Sequence, residues 1–283
     1  MKSEIFRFNL GTLACTIIQD SDRTQPVDDF FRDVPQEERK TVIANSPYNP
    51  ETVTLSFNVL LIETPQHRIL IDSGNGVETG RNGRLLPHLA DLNIPLSSID
   101  MVIATHAHAD HYIAMMKNNG EKTFPNARYI MWKDEWDFYS SPEWLALDKE
   151  TNPVRYDLTQ RYFLPLHDKL TLIPSNNPQI TDNISFIESF GHTKYHVAVK
   201  IESGDDSLLY TADTFIQPLH IENPNWKFYV EFDPDLAIIS KKKLCKMASD
   251  SNMLVLGYHF PFPGLGHIIQ SQTGYRWMPE IKS

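Results

Sequence analysis

One short stretch of the chain concentrates side chains that bind transition metals. The stretch Thr105–His111 reads Thr-His-Ala-His-Ala-Asp-His and offers three imidazoles and one carboxylate. Imidazole and carboxylate ligands suit zinc, with iron, manganese or cobalt as alternatives. The only two cysteines, Cys15 and Cys245, lie far apart in the sequence, so a thiolate site is not expected. The stretch therefore predicts a metal centre with nitrogen and oxygen ligands.

The spacing of these ligands predicts two neighbouring ions. The segment 100–104 reads as a strand that ends directly before the motif. His106 and His108 are two residues apart, which at a strand end turns both imidazoles to the same side. Asp110 and His111 come after the turn and can face a second ion beside the first. Neither ion has enough ligands from this stretch alone, so other parts of the chain must complete both sites.

The missing ligands are expected just after later strands. His192, Asp213 and His259 each follow a predicted strand. His192 can complete the first site, Asp213 can bridge the two ions through its carboxylate, and His259 can reach the second ion. His196 is expected to support a ligand rather than to bind metal. Asp72 lies in a glycine turn, where it either orients a ligand by a hydrogen bond or only caps the turn.

The order of the predicted elements indicates an α/β protein, an αββα sandwich of two mixed β-sheets with helices on the outer faces. The segments 5–10 and 13–20 read as a hairpin, and 234–248 reads as an amphipathic helix. No cut point divides the chain, so residues 1–283 are predicted to form a single domain. The polar segment 21–50 is longer than a simple connection requires, which predicts a covering arm or a dimer element.

Charge and hydropathy exclude several classes of protein. Twenty-six basic and thirty-six acidic residues give a formal net charge of -10, which repels polyanions, so nucleic acid is not an expected partner. No apolar run approaches the length that crosses a bilayer, and the N-terminus lacks an uninterrupted apolar signal region. The expectation is a soluble cytoplasmic protein that acts on a small molecule, with no membrane partner.

These residues resemble the metallo-β-lactamase superfamily, whose His-x-His-x-Asp-His signature stands here at 106–111. His192, Asp213 and His259 fall in the order and approximate spacing of that family. The segment 259–267, His-Phe-Pro-Phe-Pro-Gly-Leu-Gly-His, looks more specifically like the branch that holds methyl parathion hydrolase and related N-acyl homoserine lactonases.

The resemblance implies the metallo-β-lactamase fold and a hydrolase with two divalent ions, zinc being favoured. It divides the ligands between the ions: His106, His108 and His192 would bind one, Asp110, His111 and His259 the other, and Asp213 would bridge. Because Asp213 stands at the bridging position, the resemblance argues against the zinc β-lactamases with a thiolate ligand there. Tyr195 stands where the family often has glycine, which makes its ring a candidate pocket residue.

The expected reaction is hydrolysis by a hydroxide that bridges the two ions. The hydroxide would open a lactone, such as an N-acyl homoserine lactone, or cleave an ester, and phosphotriesters are candidate secondary substrates. Asp110 is the candidate catalytic residue, which would orient the water and pass a proton to the leaving group. Four aromatic side chains are candidates for the substrate pocket: Trp136, Phe138, Tyr195 and Phe215.

Two other functions stay open at this point. A glyoxalase II-like thioester hydrolase would use the same kind of site, although no basic, helical C-terminal domain that could hold glutathione is evident. A non-catalytic metal-binding module would keep the ligands for stability alone. Hydrolysis kinetics separates these functions. A homodimer formed through the segment 21–50 is compatible with the sequence.

Overall fold

The fold is built on two seven-stranded sheets in a computed structural model that describes residues 4–76 and 82–280. The strands of the first sheet follow one another in sequence and in space: β1 (Ile5–Leu10), β2 (Leu13–Pro26), β3 (Thr52–Glu63), β4 (Arg68–Ile71), β5 (Met101–Ala104), β6 (Arg128–Trp132) and β7 (Leu170–Ile173). The strands of the second sheet do the same: β8 (Gln179–Thr181), β9 (Ile184–Glu188), β10 (Val197–Ser203), β11 (Asp206–Ala212), β12 (Leu254–Gly257), β13 (Leu265–Ser271) and β14 (Gly274–Pro279).

Both sheets are mixed, as predicted. In the first sheet β1 to β4 are antiparallel, whereas β4 to β7 are parallel. In the second sheet β11 and β12 are parallel, and the other pairs are antiparallel. Because β9 and β11 are each antiparallel to β10 between them, they run in the same direction, and β12 shares it. The loops that follow β9, β11 and β12 therefore leave the sheet at the same edge.

The helices lie between and after the strands. Those in the described part of the chain are α1 (Val27–Phe30), α2 (Gln36–Ala44), α3 (Leu85–Asp91), α4 (Ala109–Tyr112), α5 (Lys133–Tyr139), α6 (Pro142–Thr151), α7 (Pro153–Leu158), α8 (Leu219–Glu222) and α9 (Pro234–Asp250). A π-helical turn spans Thr159–Phe163, and 3₁₀ turns span Leu96–Ser98, Ile113–Met115 and Leu164–Lys169. None of the described helices is long and apolar enough to cross a membrane.

Successive side chains along the strands of the second sheet point to opposite faces and form two apolar layers. Tyr210 and Leu256 belong to the large cluster between the sheets, whereas Leu209 and Val255 belong to a smaller cluster that includes Leu244 of α9. Successive side chains of a strand point to opposite faces, so the sheet requires a cover on its outer side. The helix α9 supplies that cover, while α3 and α5 pack on strands of the first sheet. The predicted αββα sandwich is confirmed.

The segment 21–50 packs on its own chain. Its first residues continue β2 as far as Pro26, and the helical part buries Phe30 and Phe31. The Phe31 ring lies 5.2 Å from that of Trp226, whose indole N–H donates to the Glu38 carboxylate at 2.7 Å. The segment therefore covers apolar surface of the sandwich. A role of the same segment in dimer formation stays a prediction.

Local patterns predicted some elements incompletely. The residue pattern of 109–117 predicts a helix over the whole segment, but the helix ends at Tyr112 and continues only as a 3₁₀ turn to Met115. The sequence pattern does not predict β8, which is only three residues long, or β14, which follows directly on a tight turn and ends in Pro279. Both lie at the edge of the second sheet, where a strand has a single neighbour and its sequence pattern is weakly constrained.

Candidate metal centre

Four loops bring the predicted ligands to one edge of the sandwich. The motif 105–111 follows β5, and His192 lies in the loop between β9 and β10. Asp213 directly follows β11, and His259 lies two residues after β12. The common direction of β9, β11 and β12 explains why residues far apart in sequence meet here. All seven predicted ligands are in two clusters of metal-binding side chains: His106, His108, His192 and Asp213 in one, and Asp110, His111 and His259 in the other.

The first ligand group consists of His106, His108 and His192, with Asp213 beside them. The Nε2 atom of His192 lies 2.9 Å from Nδ1 of His108 and 3.1 Å from Oδ2 of Asp213. The Nε2 atom of His106 lies 3.8 Å from the same carboxylate oxygen. These nitrogen and oxygen atoms face one small volume, as ligands of a single ion must.

The second ligand group consists of Asp110, His111 and His259. Oδ2 of Asp110 lies 3.6 Å from Nε2 of His111 and 3.4 Å from Nε2 of His259. Asp213 also reaches this group, because its Oδ1 lies 3.3 Å from Nε2 of His111 and its Oδ2 lies 3.3 Å from Nε2 of His259. One carboxylate thus contacts both groups, which is the placement that a bridging ligand requires.

Buried polar atoms without partners show that the site fits cations. Among the described residues, Nε2 of His106, Nε2 of His111 and Oδ1 of Asp213 are buried and make no hydrogen bond of good geometry, although the last two atoms lie 3.3 Å apart. A buried polar atom without a partner costs roughly 1–3 kcal/mol. All three atoms point into the centre, and imidazole nitrogen with carboxylate oxygen is the donor set of zinc and related divalent ions. The residues present therefore fit two such ions.

Burial and neighbouring charges shift the pKa values of histidines in the two ligand groups in opposite directions. Burial, helped by the neighbouring His192, lowers the pKa of His108 to about 3. Burial also opposes the charged form of His259, yet the carboxylates of Asp213 and Asp110 outweigh it and raise its pKa to about 9. Desolvation also acts against the charged form of Asp213, but the histidines around it, His259 first, hold its pKa well below its usual range. The metal centre thus contains ionised carboxylates, which are stabilised when cations lie beside them.

Asp72 orients ligands rather than only capping its turn. Its Oδ2 accepts a hydrogen bond from Nδ1 of His111 at 2.8 Å, which leaves Nε2 of that ring facing the centre. It also accepts from the backbone N–H and the hydroxyl of Thr105, and that hydroxyl contacts Nδ1 of His106 at 3.1 Å. The left-handed backbone of Asp72, with φ of 61°, is a strained conformation held by these contacts.

Replacing this carboxylate should weaken metal binding. In Asp72→Asn, an amide N–H₂ group can take the place of the oxygen that accepts the hydrogen bond from His111. The His111 ring then loses its fixed orientation. Partners of this kind change metal affinity by roughly 10- to 100-fold. Competition with a chromophoric chelator measures the loss. Asp100→Asn is the matched control, because Asp100 precedes β5 at the end opposite the metal-binding motif, and its carboxylate accepts the backbone N–H of Arg68. Equal affinities in both variants would contradict this role.

His196 and the backbone carbonyl of Ser56 each hold one of the predicted ligands in place. Nδ1 of His196 contacts the Ser189 hydroxyl at 2.8 Å, and its Nε2 accepts the backbone N–H of Asp213 at 3.1 Å. His196 therefore supports a ligand, in agreement with the expectation for it. Nδ1–H of His259 donates to the backbone carbonyl of Ser56 at 3.0 Å, which presents Nε2 to the centre.

Two of the four predicted pocket aromatics pack in the apolar interior. Phe215 is fully buried in the cluster beneath α9, on the face of the second sheet that points away from the other sheet. Trp136 is buried in the main core, where its ring lies 4.7 Å from that of Phe163. Trp136 is 5% exposed and Phe215 has no exposed surface, so a role of either ring in the substrate pocket stays a prediction.

The other two aromatics belong to an aromatic wall formed by Phe138, Trp144, Tyr195 and Phe232. The Phe138 ring lies 5.1 Å from Trp144, 5.6 Å from Phe232 and 6.2 Å from Tyr195. Phe232 is 44% exposed, and its backbone N–H donates to the carbonyl of the ligand His192 at 3.0 Å. The wall therefore stands beside the first ligand group. Sequence reasoning missed Trp144 and Phe232, since an aromatic side chain is more often part of a core.

Comparison with known proteins agrees with this geometry. The family model described as "Metallo-beta-lactamase superfamily" matches residues 55–259. The curated anti-Pycsar protein Apyc1 of Bacillus phage vB_BveM-Goe7 is 26% identical over 169 residues, which is 56% of this chain and 60% of that protein. The chain thus matches less than two thirds of that relative's length.

Two solved structures superpose on nearly the whole chain. AidC, described as a dizinc quorum-quenching lactonase, has a TM-score of 0.89 with 26% identity over 99% of this chain and 98% of its own. The hydrolase AbOPH has a TM-score of 0.89 with 21% identity, over 100% of this chain and 99% of its own, and it shows the shared fold. From the family match and the clustered ligands, we conclude that the chain belongs to the metallo-β-lactamase superfamily.

Proposed function

We propose that this protein hydrolyses lactones or carboxylic esters at a centre of two zinc ions, with N-acyl homoserine lactones as the favoured substrates. The observation that carries the proposal is the position of Asp213, whose carboxylate lies within 3.8 Å of ligands from both groups. The similarity to AidC, which has a lactonase description and covers 99% of this chain, supports lactones as the first class to test.

Bound divalent ions would supply a Lewis acid for the carbonyl oxygen and a hydroxide nucleophile at neutral pH. The chain's own contribution starts with Asp110, whose side chain is 19% exposed and faces His111 and His259. Tyr258 fixes this residue by donating its hydroxyl to the Asp110 backbone carbonyl at 2.6 Å. Asp110 is therefore held at the mouth of the centre, where it can orient water and hand a proton to the leaving alkoxide.

The aromatic wall gives the site an apolar side that fits an acyl chain. Phe138 and Tyr195 are partly exposed, and Phe232 is more so. Apolar area removed from water contributes about 25 cal/mol per Å², so an acyl chain lying on these rings gains affinity with its length. Lys194 lies over the Phe138 ring with Nζ 4.2 Å from its centroid, which orders the wall next to the ligand loop.

Removing the exposed Phe232 ring of this wall should change the KM for the substrate more than the turnover number. In Phe232→Ala the KM for a long-chain acyl lactone should rise about five-fold, which corresponds to roughly 1 kcal/mol of lost apolar contact. The turnover number should be nearly unchanged, since the backbone N–H of residue 232 that bonds to His192 stays in place. Met278→Ala is the control, because Met278 has a similar exposure, 50% against 44% for Phe232, but lies on the edge strand β14. An unchanged KM would contradict the assignment of the wall.

A substrate panel tests the proposed function directly. Acyl homoserine lactones of several chain lengths, aryl esters, a phosphotriester and S-lactoylglutathione are compared by kcat/KM on the zinc-loaded protein and on the chelator-treated protein. The expected result is highest efficiency on lactones or esters, lost with the metal. Highest efficiency on the thioester would favour the glyoxalase II-like alternative. No hydrolysis of any substrate by the fully loaded protein would favour the non-catalytic binding module.

A further inference from the structure

A buried carboxylate beside the metal centre has no place among the predicted ligands. Glu135 lies on α5, and its side chain is fully buried. Its Oε1 accepts the backbone N–H of Ala107 at 2.8 Å, and its Oε2 accepts the backbone N–H of Tyr195 at 3.1 Å. Burial raises the pKa of Glu135 to about 7, and the bond from Ala107 reduces that rise. A carboxyl group in such a place costs folding free energy, so its retention needs a reason.

The two partners of Glu135 belong to different ligand loops. Ala107 stands between His106 and His108 in the loop after β5. Tyr195 stands in the loop between β9 and β10, which carries His192. Each oxygen of one carboxylate therefore holds one loop, and the two loops together supply the three histidines of the first ligand group.

The distance between these loops decides whether a metal fits. His108 and His192 come from opposite loops, and their ring nitrogens lie 2.9 Å apart. Zinc binds imidazole nitrogen at about 2.0–2.1 Å, so small shifts of either loop change how well both rings reach one ion. Asp72 orients His111 and contacts Thr105, both of which belong to the motif after β5. Among the described residues, its side-chain hydrogen bonds go to Thr105, His111 and Tyr210 and not to the loop of His192, so Asp72 does not itself link the two loops.

We propose that Glu135 is a positioning residue that sets the separation of His108 and His192 and thereby the metal affinity of the first ligand group. It does so through two backbone N–H groups and touches neither metal nor substrate. The effect on metal affinity is independent of the substrate, whereas its consequence for turnover rests on the proposed function.

Metal affinity of matched variants tests this role. In Glu135→Gln one acceptor oxygen becomes an N–H₂ group that faces a backbone N–H. In Glu135→Asp both acceptors remain on a shorter side chain. Asp148→Asn is the control, because Asp148 is equally buried but bonds to Arg155 rather than to a ligand loop. Stepwise zinc affinities come from competition with a chromophoric chelator, and the visible spectrum of the cobalt-substituted protein reports ligand geometry.

The expected result is weaker binding of one of the two ions, with the affinity for the other nearly unchanged. In Glu135→Gln one affinity should fall roughly 10- to 100-fold with the other nearly unchanged, and Glu135→Asp should show a smaller fall. The cobalt spectrum should change for the weakened ion only, and Asp148→Asn should resemble the wild type. If Glu135→Gln does not fold, the smaller fall in Glu135→Asp carries the test.

Several outcomes would overturn the proposal. Unchanged affinities in the folded glutamate variants, an equal loss of both ions, or the same loss in Asp148→Asn would each do so. A wild-type protein that binds two ions but hydrolyses no substrate would contradict the proposed function and leave the affinity test of Glu135 decisive. A wild-type protein that binds no metal would overturn both.

Discussion

Asp213→Asn is expected to lose at least one of the two bound ions and nearly all hydrolytic activity. The carboxylate contacts histidines of both ligand groups at 3.1 to 3.8 Å, so the substitution removes one negative charge that both ions would share. Mutation of a residue that supports a metal ligand typically lowers metal affinity or activity roughly 10- to 100-fold. The loss of a ligand that both ions share should have a larger effect. The backbone N–H of residue 213 still donates to His196, so the loop itself should keep its place.

Metal analysis and kinetics on the same preparation check this expectation. The metal content should fall from two ions per chain to one or fewer, and kcat/KM should fall at least about 100-fold. Asp148→Asn serves as the buried carboxylate control, since its partner is Arg155. A variant that retains two ions and full activity would show that Asp213 does not bridge.

Asp110→Asn is expected to lower turnover more than metal content. Proton transfer by a positioned side chain contributes roughly 100- to 10,000-fold, and the amide cannot carry the proton to the leaving group. His111 and His259 remain for the second ion, and Asp213 contacts both of them, so the variant should keep a large part of that ion. The turnover number should therefore fall strongly while KM changes little.

Pre-steady-state and steady-state kinetics on metal-saturated protein separate this effect from metal loss. The loss of rate should be smaller for esters with a good leaving group, since those need less protonation of the alkoxide. Asp137→Asn on the exposed side of α5 is the control, because Asp137 pairs only with Lys133 among the described contacts. Equal losses on good and poor leaving groups would show that Asp110 acts as a ligand alone.

The convergence of the candidate metal ligands could be predicted from the sequence because each lies next to a strong local signal. Four of them share one short motif, and His192, Asp213 and His259 each follow a strand with a clear apolar pattern. Strand ends of common direction meet at one edge, so local patterns were enough to indicate where these residues converge. The layered fold followed for the same reason, since strand alternation and the apolar face of α9 are local properties.

The surroundings of the ligands could not be predicted in this way. Phe215 lies only two residues after Asp213, yet the chain turns and its ring packs beneath α9. Glu135 is one acidic residue among several on α5, and only the packing of that helix turns its carboxylate towards Ala107. The direction of a side chain after a turn, or on a short helix, depends on tertiary contacts that a local pattern does not contain.

Stepwise metal reconstitution tests the central claim most directly. Protein stripped by a chelator receives zinc in fractions of one equivalent per chain, and bound metal and hydrolysis of an acyl homoserine lactone are measured at each step. The account predicts that binding stops at two ions per chain and that hydrolysis rises mainly with the second ion. Saturation at a single ion, or full hydrolysis by the metal-free protein, would contradict a dinuclear hydrolase.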